Sequence, residues 1–146
     1  MDIAELVARE SIRDLVAQYA HAADRGKFEE VAGLFTADGI LELPEGQRLV
    51  GAEAIRTFLG GVGADLRGAT QRAWVRHHVS SHRIVVENPA HAVGFAYFLV
   101  VTERGVDHWG RYHDRYLSTD GVWRFAHRRA RLDGHAPDSW TAARRR

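Results

Sequence analysis

Cysteine is absent from the 146-residue chain, which excludes a disulfide framework, thiolate-ligated zinc or iron–sulfur sites, and a cysteine nucleophile. An excess of one charge is missing too, since 20 Lys and Arg face 19 Asp and Glu for a formal net charge of +1. So even a balance lacks the basic surface that nucleic acid or an anionic membrane attracts, and neither is an expected partner. No apolar run approaches the roughly 20 residues that cross a bilayer. The opening MDIAELVARE alternates acidic and apolar residues instead of setting a basic stretch before a greasy one, as a secretory signal does. A cytoplasmic location is the expectation. Lysine is nearly missing: Lys27 stands alone among arginines, the bias of a GC-rich bacterial genome. The chain also lacks a Gly-x-Ser-x-Gly elbow, a Walker loop and a dinucleotide fingerprint. Gly60-Gly61-Val62-Gly63 follows a helix rather than a strand and so makes a poor phosphate cradle.

What is present suits one compact domain, expected over residues 1–136 with a loose tail over 137–146 that ends in three arginines. Ile12, Leu15, Val16, Tyr19 and Ala23 form one stripe of an amphipathic helix, stopped at Arg25-Gly26-Lys27. A second short helix carries Phe28, Val31, Leu34 and Phe35, and Asp38-Gly39 turns the chain into a strand over Ile40–Leu43. A third helix starts at Gly51, with Ile55, Phe58, Leu59 and Val62 on one face. Glycines 60, 61, 63 and 68 then predict a loop. Four long strands follow, Trp74–Glu87, Ala90–Arg104, Val106–Ser118 and Val122–Asp133, with turn chemistry at Asn88-Pro89, Arg104-Gly105 and Thr119-Asp120-Gly121. Helices first and an antiparallel meander second is the α+β pattern.

Nine histidines invite a metal reading. His77 and His78 point to opposite faces of a strand. By alternation His78 and His82 share a face, but stand roughly 13 Å apart at about 3.3 Å per residue. The one short-range candidate with ligand chemistry lies around Asp107-His108-Trp109, and no metal or cofactor is expected. Asp24 is more informative, because it ends a helix where the macrodipole disfavours a carboxylate. It is either solvated beside Arg25 and Lys27 or accepts a hydrogen bond from a buried partner. On the third long strand His108, Gly110, Tyr112 and Asp114 alternate with Trp109, Arg111, His113 and Arg115. Neither face is uniformly apolar or wet, which suggests a lined cavity on one side or a partner on the other.

The run Ser11–Tyr19, then Asp24–Gly39, Gly51–Arg56, Arg76–Ser81, Gly110–Asp114 and Asp120–Phe125 resembles SnoaL-like domains of the nuclear-transport-factor-2-like superfamily, nearest the dehydratase and dehydrochlorinase branch. The resemblance implies a cone, in which a curved, mostly antiparallel sheet and three N-terminal helices enclose one pocket. It implies a cofactor-independent lyase or isomerase acting on a small, apolar, cyclic substrate, and a homo-oligomer, dimer or trimer. The branch's Asp–His dyad falls on Asp24 and His77, and its catalytic tyrosine on Tyr19. Substrate-binding positions fall on Tyr112 and Arg128. Thr102 stands where scytalone-type dehydratases have a second pocket histidine, and Leu43 where they have a tyrosine. The alternatives within the superfamily are a polyketide-type cyclase and a catalytically silent binding or dimerisation module.

Overall fold

The structure is a computed structural model that describes residues 1–70 and 74–143, with the backbone alone over 65–70 and 142–143. The three terminal arginines of the expected tail lie outside the described residues. Helix α1 (Ile3–Asp24) begins at Asp2, whose carboxylate accepts the Glu5 N–H at 2.8 Å, and buries Ile12, Leu15, Val16 and Tyr19. Arg25 caps its C-terminus, followed by Gly26 at φ 70°, a left-handed position that glycine adopts without a Cβ penalty. Helix α2 spans Phe28–Gly33, α3 Ala52–Thr70 and a last short α4 Trp140–Ala143.

Six strands, β1 (Phe35–Glu42), β2 (Arg48–Val50), β3 (Val75–Asn88), β4 (His91–Thr102), β5 (Gly105–Thr119) and β6 (Val122–His135), form one sheet in the order β2-β1-β6-β5-β4-β3. All pairs are antiparallel except β1 with β6, and the sheet does not close on itself. The α+β expectation therefore holds. α1 packs on β3 and β6, while α3 packs on β1 and β2. The inner face of the sheet buries Ile84, Ala92, Tyr116 and Phe125 against Ile12, Val16 and Ile55 in one cluster, and Phe98, Val100 and Tyr112 in a second.

Three local expectations are corrected. The glycines at 60, 61, 63 and 68 lie inside α3 rather than in a loop. Each costs about 1 kcal/mol of helix propensity, which the burial of Ile55, Phe58 and Leu59 against the core outweighs. Phe35 starts β1 instead of ending α2, and pairs with Phe125 ahead of a bulge that absorbs Asp38-Gly39 before the register resumes at Ile40. His78 and His82 do not share a face. The β3–β4 register shifts between Ser80 and Arg83, where Ser81 takes φ 50°. That extra residue turns His82 inward with His77 and leaves His78 exposed.

A candidate active site between the first helix and the sheet

Asp24 ends α1 against the start of β3. Its Oδ2 accepts the backbone N–H of His77 at 2.9 Å, and its Oδ1 lies 2.5 Å from His77 Nδ1. Two donors thus answer the helix dipole's penalty, so the hydrogen-bonded alternative for Asp24 holds over the solvated one. The Asp24 side chain is 8% exposed and that of His77 is 20%. A carboxylate only accepts, so Nδ1 carries a proton, and in the neutral form of the ring the lone pair is at Nε2. His77 Nε2 has no hydrogen-bond partner among the described residues.

His77 opens on a cavity of about 360 Å³ lined by Tyr19, Phe28, Leu59, Val62 and Val75. A second lobe of about 170 Å³, lined by Leu43, Phe58, Phe98, Tyr112 and Leu132, shares Tyr19, His77 and His108 with it. The lining is apolar apart from a few polar groups, the usual make-up of a small-molecule site. Tyr19 is buried, and loss of water pushes its pKa up against the opposing charge of Arg128. Its hydroxyl stays protonated near neutrality and is a donor.

Tyr19, Asp24 and His77 are thus gathered around one cavity, with Leu43 and Tyr112 on its second lobe. Arg128 and Thr102 do not line either lobe. Arg128 is fully buried beneath the tyrosines, with Nε and Nη2 at 3.0 and 2.9 Å from the two oxygens of Asp114. Its guanidinium lies 4.3, 3.8 and 4.4 Å from the ring centroids of Tyr19, Tyr112 and Phe125. The cation therefore lies under the floor of the pocket and lines neither lobe, and its buried Nη1 has no hydrogen-bond partner among the described residues. Its register partner on β5 is Asp114, and a buried arginine without that carboxylate would be an unpaired charge. Tyr116 donates to the same Asp114 at 2.8 Å, with His82 Nε2 3.1 Å from the Tyr116 hydroxyl. Thr102 ends β4, where its Oγ1 accepts the Arg104 N–H at 3.2 Å.

Residues missed from sequence lie on the same cavity. His108 lines both lobes, and its Nδ1 is 2.7 Å from Asp107 Oδ2. Ser139 Oγ donates to that oxygen at 2.6 Å, and Trp140 stands edge-on to the His108 ring at 5.3 Å. Ser139 is buried and Trp140 walls both lobes, so this part of the expected loose tail packs on the pocket. The available signal was Asp107-His108 itself, an acid beside an inward-facing histidine. No group of three His, Asp or Glu fit to hold a metal ion occurs among the described residues.

The family model described as a SnoaL-like domain matches residues 4–129. No curated relative matches the sequence. Among solved structures, a protein of Novosphingobium aromaticivorans DSM 12444 that carries the provisional name scytalone dehydratase is 25% identical. That alignment covers 93% of this chain and 91% of that one at a TM-score of 0.80. A protein of unknown function from Mycobacterium tuberculosis is 28% identical, covering 92% and 76% of the two chains at 0.78. The hexachlorocyclohexane dehydrochlorinase LinA-type3 of Novosphingobium barchaimii LL02 is 18% identical, covers 94% of each chain at 0.79, and is a likeness of fold.

Proposed function

The chain belongs to the SnoaL-like domain family, and from that premise we propose that it is a cofactor-independent lyase or isomerase in which the Asp24–His77 pair removes a proton from a small, apolar, cyclic substrate. The observation that carries this reading is the double hydrogen bond of Asp24 to one histidine at the wall of a largely apolar cavity. Asp24 holds the imidazole with Nε2 bare and stabilises the imidazolium that forms on proton uptake. The proton comes from a carbon next to a carbonyl or opposite a leaving group. Tyr19 donates to the oxygen on which negative charge develops, a neutral donor in a water-poor site. Leu43 and Tyr112 shape the second lobe.

A direct test is exchange of the α-protons of a bicyclic ketone, 2-tetralone, into D2O, followed by proton NMR against a buffer blank. The wild type should exceed the blank, and His77→Ala should fall back toward it by about 10²–10⁴-fold. Exchange that is equal in the two proteins would sink the base assignment and leave a silent binding module as the better reading.

A further inference from the structure

A second carboxylate–histidine pair faces the same cavity, and the Asp24–His77 chemistry does not use it. Asp107 Oδ2 takes both the His108 Nδ1 contact at 2.7 Å and the Ser139 hydroxyl at 2.6 Å. As an acceptor it keeps the proton of a neutral ring on Nδ1, so the lone pair of His108 sits on Nε2. That atom has no hydrogen-bond partner among the described residues, and the ring lines both lobes. The ring is hemmed between Phe98 at 6.0 Å and Trp140 at 5.3 Å between centroids. Burial lowers the His108 pKa, Asp107 opposes this, and the His77 and His135 charges add to it. The ring is therefore neutral near pH 7, and its free atom accepts.

We infer that His108 Nε2 is a hydroxyl-recognition point: the pocket takes an apolar cyclic compound bearing an alcohol or phenol, whose O–H His108 accepts, with Ser139 as a positioning residue acting through Asp107. An ether or a halide at that point offers no proton and leaves a sheltered lone pair unpaired, which disfavours it. The inference rests on the proposed reading only in taking this cavity as the substrate site, and does not require His77 to be a base.

The test titrates 5-indanol and its methyl ether, 5-methoxyindane, separately into ¹⁵N-labelled protein at pH 7.5. The wild type should bind the phenol about ten-fold tighter, the worth of one hydrogen bond away from bulk water. His108→Phe keeps an aromatic ring between Phe98 and Trp140 and should bring the ratio to about one by weakening the phenol alone. Ser139→Ala should give an intermediate ratio and mix the His108 tautomers in its ring ¹⁵N spectrum, a change that packing alone does not produce, with Ser139→Thr restoring both. If His108→Phe does not fold, the Ser139 pair carries the test. Equal wild-type affinities, binding of neither probe, or an unchanged ratio in folded His108→Phe overturn the assignment. Failure of ketone exchange alongside a retained phenol preference overturns the base at His77 and leaves His108 standing.

Discussion

Asp24 spends both carboxylate oxygens on one residue, holding the backbone N–H of His77 with Oδ2 and the ring Nδ1 with Oδ1. An amide cannot copy this, because Asn offers one acceptor and one donor. Placed against the backbone N–H, the amide nitrogen makes a donor–donor clash. Placed against the ring, it keeps both bonds only if Nδ1 is bare and the proton moves to Nε2. Asp24→Asn is therefore predicted to invert the His77 tautomer, read from ring ¹⁵N shifts, and to lower ketone exchange about 10²–10⁴-fold. A His77 ring still protonated at Nδ1 in a folded variant would refute it.

Residues that act as one unit do not lose activity independently. Asp24→Asn combined with His77→Ala should exchange the ketone hardly more slowly than His77→Ala alone. Losses that multiply would mean that Asp24 works apart from the histidine.

Arg128→Leu should cost about 3–5 kcal/mol in chemical denaturation, since it strands the buried Asp114 carboxylate. Arg128→Lys should also destabilise, because an ammonium cannot reproduce the two-pronged contact or lie flat against the rings. Full stability of either variant would contradict a structural role.

Burial depresses the pKa of two inward histidines below their ordinary value of 6.5. For His82 the Asp114 charge opposes burial while Arg128 and Arg13 reinforce it; Asp107, His77 and His135 face His108. Below pH 6.5 the unfolded chain binds protons that the folded one refuses, so stability is present above 6.5 and lost as the pH falls toward the lowered values. Glu42, held low by Arg131 and His127 hydrogen bonds against its own desolvation, loses its contribution only at more acid pH. A thermal scan from pH 7.5 to 5 should therefore show a falling Tm, with a shallower fall in His82→Gln. Equal slopes would refute the assignment.

The outer face of the sheet leaves Phe95, Tyr97, Leu99 and Trp109 between 36% and 57% exposed, beside Arg111 and Arg115. Aromatic residues and arginine are enriched at interface cores, and a homodimer through this face is predicted. Light scattering should give twice the chain mass at micromolar concentration, and Tyr97→Glu with Trp109→Glu should give the monomer. A monomeric wild type would refute it.

Local periodicity determined much of this protein before any contact was known. The stripe of α1, the alternation along β5 and the turns at Asn88-Pro89 and Asp120-Gly121 are set by neighbours a few residues away, and the chain obeys them. Asp24 was legible for a related reason: a carboxylate at the negative end of a helix dipole calls for a donor. Tertiary structure decided what local rules leave open. The Ser81 bulge reverses the facing of His82 because an extra residue in one strand shifts parity, and strand partners alone determine where it sits. Arg128 lies buried beneath the pocket and not on its wall because register sets it opposite Asp114. The pairing of Asp107 with His108 is local, but only the folded chain brings Ser139, 32 positions from Asp107, onto the same carboxylate at the cavity wall. The glycines of α3 stay helical because burial of their neighbours outweighs their backbone entropy, a balance that exists only once the sheet is there to bury them.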